Sequence, residues 1–86
     1  MKRAQIVVPG PVGLHARPAA DFVHVAERFK SKVRLGKDGV WVNGKSILQI
    51  LSLAAEAGCK VILEVSGSDE DDAFPALVAQ LRKSET

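Results

Sequence analysis

The sequence has little that would support a disulfide-stabilised or membrane-spanning protein. Its 86 residues include a single cysteine, Cys59, so no internal disulfide can form and nothing indicates an oxidising compartment. No apolar run approaches the roughly 20 residues that a membrane helix needs. The apolar run at residues 6–8 is too short for a signal peptide. We therefore expect a cytoplasmic protein without membrane insertion.

Aromatic residues and net charge are also scarce. There is no tyrosine, and Trp41 is the only aromatic residue on a predicted strand, whereas a sheet that stacks RNA bases uses two or three. The net charge of +2 is too small for a strong electrostatic grip on nucleic acid. A loose basic run is typical of a solvated face; it comprises Lys30, Lys32, Arg34 and Lys37. We expect no nucleic-acid partner.

The residues that are present indicate one globular domain spanning residues 1–86. Hydrophobic residues make up 47% and charged residues 26%, as in an ordinary globular protein. Period-2 alternation predicts four strands, and 3.6-residue periodicity predicts three helices. The predicted elements are strand 4–8, a helix of about three turns from residue 16, strand 32–36, strand 40–42, helix 46–57, strand 61–65 and helix 71–83. This β-α-β-β-α-β-α order predicts an α+β fold, an open-faced sandwich whose antiparallel sheet is covered on one side by helices.

Turn and cap residues mark where these elements begin and end. Asp38-Gly39 predicts a tight hairpin turn, because such a turn requires positive φ. Gly58 is expected to end the second helix. Pro75 disfavours a helix interior, so we expect the last helix to begin near Asp71 or Asp72, which places Pro75 in or just after its first turn.

The segment at residues 13–20 carries the strongest indication of chemistry. A glycine-containing loop leads into a helix, and His15 lies at the junction. The helix N-terminus offers unpaired N–H groups and partial positive charge, which together bind anions. A phosphate held on His15 would lie near the N–H groups of Ala16 and Arg17, whose guanidinium adds charge-assisted hydrogen bonds. Pro18 is tolerated there because a first-turn N–H has no partner to lose. By spacing alone, His15 is equally consistent with a simple helix cap.

The second helix begins with a capping-box pattern. Ser46 stands at the N-cap position and Gln49 at N3. The helix that follows is more apolar than one buried face requires. The core needs only Ile50, Leu53 and Ala54 from this helix. We therefore expect some of its other apolar residues to be exposed and to form a partner site; these residues are Ile47, Leu48 and Leu51.

The segment GLHARPAA resembles the active-site motif of HPr, the histidine-containing phosphocarrier family of the bacterial sugar phosphotransferase system. The likeness extends over essentially the whole chain. It includes NGKSI around Ser46 and SGSDEDDA before the last helix. The resemblance implies a carrier without a cofactor, not an enzyme. It accepts a phosphoryl group on the δ nitrogen of His15 from Enzyme I, which phosphoenolpyruvate charges, and passes it to sugar-specific IIA proteins.

The resemblance also implies roles for individual residues. Arg17 stabilises charge during transfer, and Pro18 shapes the turn. Ser46 is the position that a serine kinase or phosphorylase modifies in many members. Asp21 is spaced to hold Arg17 before phosphorylation, although a solvated pair is the simpler interpretation. Partner proteins dock on the helix after His15 and on the apolar surface after Ser46; the implied contacts are Leu14, Ala20, His24, Ile47, Leu48 and Leu51.

Some positions depart from the family pattern. Val12 replaces a small polar residue, His24 and Glu27 replace frequent lysines, and Gln49 replaces a common glycine. Two alternatives to a sugar-system carrier stay open. One is a regulatory HPr-like binding module, which would have no need of His15, and the other is a carrier in a nitrogen-type phosphotransferase relay. His24 and Cys59 are not expected to bind a metal.

Overall fold

Within residues 1–10 and 16–83, which the computed structural model describes, four antiparallel strands form one sheet and three helices cover one of its faces. In chain order the elements are β1 (Lys2–Val7), α1 (Ala16–Ala26), β2 (Lys32–Lys37), β3 (Val40–Asn43), α2 (Ile47–Ser52), β4 (Lys60–Ser66) and α3 (Glu70–Arg82). The strand order is β1-β4-β2-β3, so β1 and β3 are the edges. This arrangement is the predicted open-faced α+β sandwich. None of the helices in the described residues has the length and apolarity that crossing a bilayer requires.

Alternation along the strands produces one apolar face and one polar face. Paired residues point to the same side of a sheet. The pairs Ile6–Val61, Leu35–Leu63 and Val33–Val65 therefore all lie on the buried side. Phe22 of α1 and Leu77 of α3 complete this core, which lies between the sheet and the helices.

The uncovered face carries a cluster around Glu64. This carboxylate is 7% exposed and accepts a hydrogen bond from Arg34 Nη2 at 2.6 Å, while Arg3 Nε lies 3.3 Å from its other oxygen. The guanidinium carbons of Arg34 and Arg3 lie 4.5 Å and 5.6 Å from the centroid of the Trp41 ring. The ring packs onto Gly36, where an added Cβ would lie only 2.8 Å from ring carbons. Ion pairing, cation–π contact and a glycine thus hold the tryptophan on the sheet.

The β2–β3 hairpin confirms the turn predicted from Asp38-Gly39. The φ angle is 52° at Asp38 and 81° at Gly39. Two consecutive positive φ values characterise the type I′ turn, whose twist matches that of a two-stranded ribbon.

The second helix is shorter than predicted, because it ends at Ser52 and not at Ala57. Ala54 adopts a φ of 52°, which a continuing helix does not allow. Gly58, predicted to cap the helix, donates its N–H to Val8 O at 2.8 Å, and Val8 N donates to Cys59 O at 2.8 Å. The glycine therefore serves the turn into β4, where the chain must come back beside β1.

Smaller differences concern the ends of β1 and α3. β1 begins at Lys2, two residues before the predicted start, and α3 begins at Glu70. Pro75 consequently lies inside α3, just after the first turn. Its missing N–H leaves the Asp71 carbonyl without its intrahelical donor, and both residues are exposed, so water can satisfy that carbonyl.

Asp69, the residue before α3, joins that helix to the segment that leaves α1. Its carboxylate accepts hydrogen bonds from Lys30 N at 2.7 Å and Ser31 N at 2.9 Å, and also from the Ser31 hydroxyl. Gly67 is needed beside this site because an added Cβ would lie 2.6 Å from Ser31 Cα. The hydrogen bond from the Ser31 hydroxyl, followed by that from Lys30 N, holds the pKa of Asp69 below its ordinary value.

This lowered pKa predicts an acid-sensitive contribution to stability. The contribution is fully present above the ordinary carboxyl value of 3.8 and is lost as the pH falls through the lower folded-state pKa. Asp69→Asn should therefore reduce the free energy of unfolding at neutral pH and flatten its decline in acid. Urea unfolding followed by circular dichroism at a series of pH values measures both effects. Asp21→Asn, which removes an exposed carboxylate from α1, is the matched control for the loss of one acid; an unchanged profile in Asp69→Asn would contradict the assignment.

Candidate functional site: the first turn of α1 and the surface of α2

The first turn of α1 provides an exposed positive end. The helix begins at Ala16, Arg17 follows it, both are exposed, and no acidic residue occupies this turn. Pro18 occupies the third position, where no intrahelical N–H bond is lost, as predicted. The first-turn N–H groups have no intrahelical acceptor, and together with the positive end of the helix dipole they lie next to an exposed arginine in the sequence. His15, Leu14 and Val12 lie outside the described residues.

The Arg17 side chain is not held by the acid one turn along the helix. Within residues 16–83, Arg17 and Asp21 form no ion pair, and both side chains are exposed. The simpler interpretation of this spacing, a solvated pair, agrees with the structure. Asp21 therefore does not neutralise the Arg17 guanidinium.

Burial of one side of α1 sets the position of its first turn. The helix places four residues in the core: Ala19, Phe22, Val23 and Ala26. Two of the predicted contact residues lie elsewhere on the helix surface, since Ala20 is half-buried and His24 is exposed. The helical face that carries Arg17 and His24 therefore remains accessible.

Ser46 is the N-cap of α2, as predicted, because its side-chain oxygen accepts from Gln49 N at 3.3 Å. The Gln49 side chain does not bond back to Ser46 among the described residues. The Gln49 side chain instead accepts from Asn43 N at 2.9 Å, at the end of β3. Asn43 is close because Ser46 N donates to Asn43 O in the turn that joins β3 to α2. Gln49 thus secures the start of α2 to the sheet.

The α2 surface exposes apolar side chains next to Ser46. Leu48 is 81% exposed and Ile47 is 38% exposed, while Leu51 is half-buried. Ile50 and Leu53 enter the core, as expected. The prediction for Ala54 is wrong.

Ala54 is exposed because the helix has already ended, and Ala55 is buried in its place. α2 contacts α1, so the apolar surface and the first turn of α1 belong to neighbouring helices on the same side of the sheet.

In residues 1–10 and 16–83, no group of three His, Cys, Asp or Glu side chains is arranged to hold a metal ion. His24 is exposed, and Cys59 is a half-buried free thiol.

Sequence reasoning overlooked the cluster of Arg34, Trp41 and Glu64 on the uncovered face. The alternation of apolar and polar residues along β2 was the available signal, since it places the Arg34 side chain on the sheet face opposite to that of Val33 and Leu35. The pairing of Arg34 with Glu64 can be inferred only from the strand register, which places Glu64 next to both Arg34 and Arg3.

Comparison with known proteins identifies the family. A family description for the PTS HPr component phosphorylation site matches residues 2–83. The chain belongs to this HPr family of the phosphotransferase system, whose similar relatives are phosphocarrier proteins and HPr-like proteins and not enzymes.

Individual relatives cover nearly the whole chain. The HPr-like protein Crh of Halalkalibacterium halodurans is 45% identical over 83 residues, which are 96% of this chain and 99% of the relative. The phosphocarrier protein HPr of Mycoplasma pneumoniae is 40% identical over 84 residues, 96% of each chain. The crystal structure of a phosphocarrier protein HPr from Bacillus anthracis matches with a TM-score of 0.88 at 41% identity, covering 94% of this chain and 96% of that one. Relatives of both kinds, HPr and HPr-like, are therefore similar to this chain.

The Ser46 cap predicts a measurable loss of stability when its oxygen is removed. Ser46→Ala should lower the free energy of unfolding by about 1 kcal/mol, because the N–H of Gln49 loses its acceptor. Ser46→Asp keeps an acceptor at the N-cap and should remain close to the wild type. Urea denaturation at constant pH measures both variants. Equal stability of Ser46→Ala and the wild type would contradict the capping role.

Proposed function

We propose that this chain carries a phosphoryl group on His15, which it accepts from phosphorylated Enzyme I and passes to sugar-specific IIA proteins. In each transfer the phosphorus–nitrogen bond to the donor histidine breaks and a new one forms to the acceptor ring. The chain returns to its starting state after the second transfer. We place this exchange in the cytoplasm and assign it to a single HPr-like domain over residues 1–86.

One observation carries this proposal. The residue directly after position 15 begins an α-helix whose first turn has two exposed residues and no carboxylate, and whose Arg17 forms no ion pair within the described residues. The N–H groups of a first turn have no intrahelical acceptor. A dianionic phosphate bound covalently at that position gains from the helix dipole and from charge-assisted hydrogen bonds. Ala16, Arg17 and Pro18 form the phosphate-stabilising turn, and Arg17 offsets the charge that moves during transfer.

Partner docking on the exposed faces of α1 and α2 is the second part of the proposal. Leu48 and Ile47 expose apolar area beside the half-buried Leu51, and Ala20 and His24 extend this surface onto α1. Leu14 is assigned to the same surface from the family resemblance. A small exposed apolar surface favours a transient complex, which a carrier needs in order to exchange partners.

We further propose that phosphorylation of Ser46 by a serine kinase/phosphorylase, whose kinase activity adds the phosphate, regulates docking. The Ser46 hydroxyl stands at the N-terminus of α2, where added negative charge is tolerated. The phosphate would place that charge beside Ile47, within the apolar docking surface, and so disfavour a partner that buries it.

A regulatory HPr-like module is the second candidate, and the 45% identity to two Crh proteins favours it. Such a module would keep the α2 docking surface but would not need His15. The presence of His15 in this chain supports the carrier instead. A nitrogen-type relay uses the same chemistry with different acceptors.

Phosphorylation by Enzyme I and phosphoenolpyruvate distinguishes the carrier from the regulator. The wild type should gain one acid-labile phosphoryl group, visible by intact-protein mass spectrometry, and His15→Ala should gain none. The only other histidine is His24; His24→Gln should reach the same final stoichiometry as the wild type, whatever its rate. An unmodified wild type under conditions that phosphorylate a known HPr would favour the regulatory module.

The docking surface predicts a defect in recognition that leaves the fold intact. Leu48→Glu places a charge at a side chain that is 81% exposed, and should raise the KM of Enzyme I for this protein about tenfold or more, as loss of an apolar contact does. Val40→Glu is the matched control, since Val40 is 57% exposed but lies on β3. Steady-state phosphorylation rates over a range of carrier concentrations provide both constants. Equal KM values for the two variants would contradict docking through α2.

A further inference from the structure

A basic cleft lies at the end of the β2–β3 hairpin that is remote from the Asp38-Gly39 turn. We call it the β2–β3 cleft; its volume is about 450 Å³, and it is lined by Lys30, Lys32, Arg34, Trp41, Asn43 and Lys45, with Ser31 and the backbone of the two strands. The cleft is on the side of the molecule where no helix covers the sheet. It is thus separate from the first turn of α1.

Charge is unevenly distributed around this cleft. Four of its lining residues are cationic and none is acidic. A second cavity on the other side of Trp41 adds three cations and one carboxylate, that of Asp38. Seven of the chain's 12 lysines and arginines therefore line these two cavities: Arg3, Lys30, Lys32, Arg34, Lys37, Lys45 and Lys60. With a net charge of only +2, the rest of the chain is acidic on balance, so the positive potential is concentrated here.

The cations of the cleft retain hydrogen-bond donors. Arg34 uses Nε and Nη2 on Glu64, and three of the five N–H donors of its guanidinium remain. Lys45 Nζ donates to Phe29 O at 2.7 Å and keeps two further protons. Lys30 and Lys32 form no ion pair within residues 1–10 and 16–83. Glu64 holds the Arg34 guanidinium beside the Trp41 ring, so part of this arrangement exists before any ligand arrives.

We propose that the β2–β3 cleft binds a small molecule that carries two or more phosphate groups. The four cations of the cleft outnumber the one carboxylate that pairs with them, that of Glu64, and so match a multiply charged anion. The cleft also has the volume of a small-molecule site. Trp41 provides an apolar wall for the remainder of the ligand. A nucleic-acid strand fits less well, because Trp41 is the one aromatic residue of the lining and stacking of successive bases uses several. This site is independent of the proposed transfer through His15.

Trp41 makes the test direct, because it is the only tryptophan and there is no tyrosine. Its fluorescence therefore reports the cleft and not the α1 end, which lies on the opposite side of the sheet. Titration with inorganic tripolyphosphate and with ATP, excited beyond the adenine absorption band, should produce a saturable change. Calorimetry should confirm a stoichiometry of one. Similar affinity for the two probes assigns recognition to the phosphates, and tighter binding of ATP adds a contact with the nucleoside.

A pair of charge-matched double variants separates a site from general electrostatic attraction. Lys30→Gln with Lys32→Gln should weaken binding of both probes about tenfold or more, since two charge-assisted contacts are lost. Arg82→Gln with Lys83→Gln removes the same charge from exposed residues outside the cleft and should leave the affinity within about twofold.

Circular dichroism checks that both double variants fold. Equal weakening by the two double variants, or no saturable response to either probe, would overturn the proposal. Tighter binding of a single-stranded RNA oligonucleotide than of tripolyphosphate would overturn it as well. None of these outcomes depends on phosphorylation of His15, so failure here is distinguishable from failure of the carrier function.

Discussion

Burial of one face of the sheet beneath three helices is the contact on which the rest of the structure depends. The paired apolar residues of β1, β2 and β4 all point to that face, and Phe22 and Leu77 pack against it. Because the three helices lie on one face only, the polar residues of the same strands remain on an open side. The two sides consequently differ in chemistry: one has helix ends and exposed apolar groups, and the other has guanidiniums and a tryptophan.

The site at α1 follows from this packing. Four buried residues hold α1 on the sheet, and its first turn is therefore fixed in place while Arg17 stays exposed. Asp69 adds a second constraint, since its carboxylate joins the segment after α1 to the start of α3. A helix held in this way presents its N–H groups in a constant direction. Anion recognition there needs no rearrangement of the helix.

Most of the fold was predictable from the sequence because strand alternation and helix periodicity are strong local signals. The turn at Asp38-Gly39, the cap at Ser46 and the helical start at Ala16 were all found from local patterns. The end of α2 was not predicted correctly, because a glycine such as Gly58 commonly follows the last residue of a helix. Here the glycine instead donates a hydrogen bond to Val8, which is distant in the sequence. The partners of Gln49, Asp69 and Glu64 were missed for the same reason, since each is set by register or tertiary packing. For the site, local patterns sufficed to place Arg17 and Pro18 in the first turn of α1, whereas His15 lies outside the described residues.

The shared carboxylate of Glu64 makes three positions on three strands a single electrostatic unit. Loss of the acid alone would leave Arg3 and Arg34 side by side with like charges, and loss of either arginine would leave a largely buried anion with one partner fewer. Positions 3, 34 and 64 are therefore expected to vary in concert among homologues, together with the small residue at 36 that makes room for the indole. In this family a pattern of joint substitution at these four positions would record how the open face is packed.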